Sequence, residues 1–206
     1  MSLEIDIALR RPMLAGEHIF LIGPGGVGKS TLGAELCRQT DWPLVDLDHR
    51  FCDRVGIIGP FIESHGYAAY RAANLKLAID IVESLTRPTV VVTASGFLAA
   101  PPATADFQQA LALVRRGYSL TLLPSLDLAE ATAIVVNRQM GRGYTSDRPA
   151  ETIKFQSRFA VYRELGDMLV VSAASADQTA GAAIRALGMS TVAQTPTTPT
   201  ECATPQ

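Results

Sequence analysis

Lys29 and Ser30 close a short glycine-rich stretch, residues 23–31, that reads Gly-Pro-Gly-Gly-Val-Gly-Lys-Ser-Thr. It fits the phosphate-loop pattern G-x-x-x-x-G-K-[ST]. A nucleoside triphosphate is held by a concave ring of backbone N–H donors, and a Cβ would block that approach. Gly23, Gly25, Gly26 and Gly28 remove the obstacle at four positions of the stretch. Val27 and Thr31 complete the cradle, and the helix expected to follow presents free N–H groups and a dipole that favours an anion. Lys29 can reach the β and γ phosphates as a mobile charge, and Ser30 offers a hydroxyl to Mg²⁺. The chain has only three lysines, Lys29, Lys76 and Lys154, so one in this slot argues for use.

A second constellation is Val-Asp-Leu-Asp, which places Asp46 and Asp48 one residue apart after an apolar run. At the end of a strand such a pair can divide the labour of phosphoryl transfer. One carboxylate orients water on Mg²⁺ while the other accepts the proton of an attacking hydroxyl. A kinase acting on a small alcohol needs this pair; a GTPase switch or a motor does not. A third feature is arginine-rich: Arg138, Arg142, Arg148 and Arg158, with Gly141 and Gly143 among them. Arginine with glycine suits a hinged cover over phosphates, and the plainer alternative is a solvated loop.

Positioning these residues is the work of alternating strands and helices. Five apolar runs, residues 17–23, 43–48, 89–96, 119–125 and 168–173, are expected strands. Most are continuous rather than alternating, as in a parallel sheet covered on both faces. Leu32 and Leu36 share a helix face after the phosphate loop, as do Leu75, Ile79 and Val82, and then Phe107, Leu111 and Val114 with Gly117 as a C-terminal stop. Asp127 with Glu130 has capping-box spacing, Ser146 and Asp147 before Pro149 mark another helix start, and 177–187 followed by Gly188 is the last helix. The expected fold is therefore α/β, a doubly wound parallel five-stranded sheet of the P-loop type flanked by helices. The N-terminal Met-Ser-Leu-Glu-Ile-Asp-Ile-Ala-Leu-Arg-Arg-Pro-Met-Leu is read as a short helix beside the first strand. Residues 1–189 are read as a single domain. It carries a substrate-binding excursion at about 49–74 and a lid at about 138–158. Residues 190–206, rich in Thr and Pro, are read as a disordered tail.

The whole chain limits the classes of function. It has 206 residues, 48% apolar and 18% charged, which describes an ordinary globular protein. A net charge of −2 gives no electrostatic case for nucleic acid or an anionic membrane. Cys37, Cys52 and Cys202 show neither pairing nor metal spacing, and with no apolar leader or long apolar run a cytoplasmic monomer is expected.

At this point the chain resembles the shikimate kinases, small-molecule kinases of the P-loop class, over residues 19–173. Their D-x-D pair is matched by Asp46 and Asp48. Their G-x-x-x-[FY]-R element is matched by Gly66, Tyr70 and Arg71 in His-Gly-Tyr-Ala-Ala-Tyr-Arg, and an arginine before the last strand by Arg158, with Tyr162 after it. The lid arginine is matched by Arg142 in Gly-Arg-Gly-Tyr. The resemblance implies transfer of the γ-phosphoryl of ATP to the 3-hydroxyl of shikimate, a hydroxylated carboxylic acid. It implies that Lys29 and Ser30 serve ATP and Mg²⁺, and that Asp46 stands behind the metal. Asp48 would hold the accepting hydroxyl, as orienter or as base. Arg71 and Arg158 would clamp the carboxylate, and Gly96 would meet the substrate ring. Arg142 would close on the moving phosphoryl, and Arg138 would lie against adenine.

The chain departs from the family pattern at three places. Ala94 and Ser95 stand where two glycines precede Gly96. Asn74 stands where a carboxylate would steady Arg71. Arg148-Pro149 lies close to Arg158 for the usual lid register. These departures bear on the acceptor, so a kinase of another hydroxy acid or sugar acid stays open. From a different class, so does a nucleotide-binding regulatory module. A nucleic-acid ATPase would want a basic stripe, which is missing.

Overall fold

The computed structural model describes residues 4–141 and 147–192. The five expected strands are present as β2 (Ile19–Ile22), β3 (Leu44–Asp46), β4 (Val90–Val92), β5 (Tyr118–Leu123) and β6 (Met168–Ser172), all parallel to their neighbours among these five. A sixth strand, β1 (Ile5–Leu9), corrects the expected N-terminal helix: it pairs antiparallel with β6, Ile5 opposite Ser172 and Leu9 opposite Met168. The sheet order is β1-β6-β5-β2-β4-β3. Ile5 and Ile7 turn toward the core while Asp6 between them stays out, the period of two that a strand requires. What recruits this segment is the open edge of β6, a partner over 150 residues away that no local pattern shows.

Burial explains the central strands. Ile19, Phe20, Leu21 and Ile22 of β2 are fully enclosed, Phe20 and Ile22 in one apolar cluster and Ile19 and Leu21 in the other, so each face of the sheet carries its own core. On one face lie α1 (Lys29–Thr40), α5 (Leu128–Gly141), α6 (Arg148–Glu164) and α7 (Ala176–Leu187), whose Leu32, Val135, Phe159 and Ile184 join the second cluster. On the other lie α2 (Leu47–Arg54), α3 (Ile58–Ser84) and α4 (Ala105–Val114), which contribute Phe51, Ile81 and Phe107 to the first. Residues 49–74 are thus largely helical, and α3 is kinked at Gly66, whose φ of 82° and ψ of 162° are non-helical. No helix of the described residues is long and apolar enough to cross a membrane.

The helix ends follow local chemistry with two adjustments. Asp127 accepts the Glu130 N–H at 2.7 Å, but the Glu130 carboxylate accepts a hydrogen bond from the Ser125 hydroxyl at 2.6 Å instead of closing the box. Gly117 is no left-handed stop for α4, since its φ is not positive; a Cβ there would stand 2.6 Å from the His18 carbonyl, and that close approach is what demands glycine. Asp147 caps α6 through the Ala150 N–H at 2.9 Å, and Gly188, with φ of 65°, ends α7. Ser146 and residues 193–206 of the expected tail lie outside the described residues.

The connection from β1 to β2 is clasped at the N-terminal edge of the parallel strands. Arg10 donates to the carbonyls of Arg163, Glu164 and Leu165 at 2.7–2.8 Å, closing the C-terminus of α6. Arg11 holds both oxygens of Glu17 at 2.8 and 2.9 Å and pairs with Asp167 at 2.8 Å. The opposite edge, where the strands end, is left to the site.

Candidate active site

β2 delivers the phosphate loop to the carboxyl edge of the sheet, at the point where its neighbours β4 and β5 lead in opposite directions. Open α/β sheets bind their ligands at such a switch point. Gly28 is the N-cap of α1, with φ of 104°, and no acidic side chain stands in the first turn, so the helix N-terminus faces the loop ready for an anion. The glycines turn out to serve packing as well as access. A Cβ on Gly23 would meet the Leu122 carbonyl at 2.7 Å, and one on Gly26 would meet Val135 Cγ1 at 2.9 Å. Gly25 lies against the Ser95 side chain.

Lys29 is only 7% exposed, and its Nζ donates to the Gly23 and Pro24 carbonyls at 2.8 and 3.0 Å. Burial pushes its pKa down to about 8, against the upward pull of the Asp48 and Asp46 carboxylates. Ser30 and Thr31 are exposed. Arg138 reaches the Val27 carbonyl at 3.4 Å and, with Val27, Gly28, Thr31 and Ala174, lines a cavity of about 190 Å³ beside the loop. Arg138 thus lies beside the glycine loop, on the wall of that cavity.

Asp46 ends β3 and caps α2, its Oδ1 accepting from the N–H groups of Asp48 and His49 at 3.0 and 3.4 Å. Asp48 therefore sits in the first turn of a helix, on a frame that its neighbouring carboxylate builds. Its Oδ1 accepts the Tyr70 hydroxyl at 2.9 Å. Burial raises the Asp48 pKa above the ordinary carboxylate value, while Tyr70 and the Lys29 charge restrain the rise. The arrangement brings a partly buried carboxylate, a lysine and a glycine cradle to one place.

The arginines converge on the same edge. Arg158, from α6, donates to the Ser95 carbonyl and to the Tyr67 hydroxyl, both at 3.1 Å. Arg71, from α3, pairs with Asp106 at 2.7 Å and lies 5.4 Å from the centre of the Tyr67 ring. The carboxylate that steadies Arg71 is thus Asp106, at the start of α4, and the reading of Asn74 needs correction. Asn74 is 1% exposed, and neither polar atom of its side chain has a partner among the described residues. Gly96 is in place, but a Cβ there would overlap the Tyr67 hydroxyl and stand 2.8 Å from its ring. Tyr162, fully buried, accepts the Leu98 N–H at 3.3 Å and belongs to the core. Arg142 lies outside the described residues.

Sequence reasoning missed Tyr67 and Asp106 and gave Tyr70 no role. Tyr67, Tyr70, Arg71 and Asn74 follow helical spacing, and that signal could have placed the two tyrosines with Arg71 on one face. Nothing local links Asp106 to Arg71.

A family model described as shikimate kinase matches residues 25–187. The chain belongs to the shikimate kinase family. A shikimate kinase of Halorhodospira halophila is 31% identical over 157 residues, covering 74% of this chain and 82% of that one. One of Paracidovorax citrulli is 35% identical over 94 residues, 45% of this chain and 50% of that one. Among solved structures, a shikimate kinase from Acinetobacter baumannii in complex with shikimate superposes with a TM-score of 0.69 at 18% identity, covering 84% of this chain and 93% of that one, and so shares the fold. As a member of the shikimate kinase family, the chain is an ATP-dependent phosphotransferase with a hydroxyl group as acceptor. The regulatory-module reading is set aside with that assignment.

Proposed function

We propose that the enzyme transfers the γ-phosphoryl of ATP to the 3-hydroxyl of shikimate, giving shikimate 3-phosphate and ADP. The observation that carries this reading is Asp48. Its carboxylate is raised in pKa and held by Tyr70 within the field of Lys29, with Arg158 and Arg71 on the same edge of the sheet. A hydroxyl brought to Asp48 attacks the γ-phosphorus and gives up its proton to the carboxylate. The bond from the γ-phosphorus to its bridging oxygen breaks, and ADP leaves. A raised pKa suits that role, because the proton is better accepted by a carboxylate that is not strongly acidic. Lys29 neutralises charge on the phosphates, and the helix N-terminus behind Gly28 adds fixed N–H donors. Arg158 and Arg71 supply the flat cationic forks that a carboxylate takes.

Magnesium fits the donors present. The Ser30 hydroxyl at the loop exit and the Asp46 carboxylate are both hard oxygen groups, and a metal held mostly by phosphates and water needs few protein ligands. When bound, it would draw charge from the transferring phosphoryl. Arg142 closing over that phosphoryl, a cytoplasmic setting and a monomeric state belong to the same proposal.

The test is ADP release with Mg²⁺ and ATP, with and without shikimate, in one sample. Release that depends on shikimate supports the assignment. ATP binding without any response to shikimate overturns the acceptor. It would turn attention to another hydroxy acid or sugar acid, the second reading, which the crowding of Tyr67 against Gly96 favours.

A further inference from the structure

Three residues expected to receive the acceptor, Arg71, Arg158 and Gly96, all touch one side chain that no motif assigned. Arg158 Nη2 donates to Tyr67 Oη at 3.1 Å. The guanidinium carbons of Arg71 and Arg158 lie 5.4 and 5.8 Å from the centre of its ring. The ring also stands 5.7 Å from that of Tyr70, which in turn holds Asp48. Gly96 is the seat: only a residue without Cβ leaves room for the Tyr67 hydroxyl and Cζ. A side chain fitted so closely to backbone, half-buried and flanked by two cations, is part of the wall of the site.

Its hydrogen-bonding account is incomplete in an informative way. Tyr67 Oη accepts from Arg158 but donates to no acceptor among the described residues. A phenol that accepts from a guanidinium becomes a better donor, because the cation polarises its O–H bond. The proton therefore stands ready beside two arginines; Arg71 already holds Asp106, while Arg158 has no carboxylate partner among the described residues.

We propose that Tyr67 is a specificity-determining residue of the acceptor site, its hydroxyl donating a hydrogen bond to the carboxylate of the acceptor beside Arg158 and Arg71. This rests on the reading that the acceptor is a hydroxy acid. It extends that reading by adding a neutral donor to the clamp and by giving Gly96 the task of seating it.

The experiment compares wild type, Tyr67→Phe and Tyr67→Ala on shikimate and on its uncharged methyl ester, at saturating Mg²⁺ and ATP. Tyr67→Phe keeps the ring and its contacts, so folding is retained and is checked by Tm. The expected result is a KM for shikimate raised roughly tenfold with a smaller change in kcat, and, in a second series with ATP varied at saturating shikimate, no change in KM for ATP. The preference for acid over ester should shrink by a similar factor. An unchanged acid-to-ester preference in Tyr67→Phe overturns the proposal, as does a lower KM in Tyr67→Ala, which would make Tyr67 an obstruction. If wild type ignores shikimate but accepts quinate, gluconate or glycerate with the same Tyr67 dependence, the shikimate assignment falls and the role of Tyr67 stands.

Discussion

At Lys29 the protein holds an ammonium in a buried place and keeps its pKa near 8, against an ordinary 10.5. Phosphates bind the charged form, so ATP binding should take up a proton once the pH exceeds about 8. Affinity should then fall by up to tenfold per pH unit above that point. Titration calorimetry in two buffers of different ionisation enthalpy would show the uptake, and Lys29→Met would lose it. Folding responds with the opposite sign: between about 8 and 10.5 the unfolded chain holds a proton that the native one has lost, so stability rises with pH there. Lys29→Ala should lower kcat by roughly 10²–10³ and leave acceptor binding nearly intact, since its charge acts on the transferring phosphoryl. Asp48→Asn should retain ATP affinity and lose transfer by roughly 10²–10⁴. A collapse of ATP affinity in that variant, measured by direct titration, would move Asp48 from the acceptor to the metal or the fold.

At the scale of elements, α3 decides how the proposed acceptor side is assembled. Gly66 breaks the helix with φ of 82° and ψ of 162°, a conformation open to glycine and costly to other residues. The turn that follows carries Tyr67, Tyr70 and Arg71, so the kink aims all of them. A Cβ on Gly66 meets nothing within 4 Å, which makes Gly66→Ala a test of backbone conformation alone. That variant should lose about 1–3 kcal/mol of stability and raise the acceptor KM while the KM for ATP holds, because the phosphate loop hangs on β2 and α1. Equal damage to both constants would mean that the kink supports the whole domain.

Across the whole molecule the site edge and the opposite edge divide function from stability. The clasp of Arg11, Glu17 and Asp167 ties β1's exit to β2, β5 and β6 far from the phosphate loop. Arg11's hydrogen bonds hold Glu17 below its ordinary value. Burial alone would raise Asp167, but the Ser119 N–H and hydroxyl together with Arg11 keep it low as well. Carboxylates depressed in the native state stabilise it above their unfolded pKa values and lose that contribution as pH falls through the native ones, which lie below the ordinary 4.5 of Glu17 and 3.8 of Asp167. Arg11→Ala should lower Tm on the order of 5 °C near neutral pH, flatten the acid limb of the stability profile, and leave the KM for ATP unchanged. Scanning calorimetry from pH 3 to 7 checks it, and an acid limb unchanged from wild type would remove the clasp from that role.

What the sequence by itself determined is local. The phosphate loop was legible because its glycines, lysine and serine must be contiguous to wrap an anion. The five parallel strands were legible because burial on both faces leaves unbroken apolar runs, and the placement of Asp46 and Asp48 at a strand end was legible because they follow such a run directly. Only the tertiary structure decided the rest. β1 became a strand because β6 had an open edge, not because its own pattern required it. Arg71 found its carboxylate at Asp106, on another helix, while Asn74, standing where a carboxylate would steady Arg71, turned into the core. Tyr67 found its place because Gly96 and Arg158, from a loop and a helix distant in the chain, closed around it. Contacts of that kind arise when packing brings separate segments together, and no spacing along one chain encodes which side chain will fill the space between them.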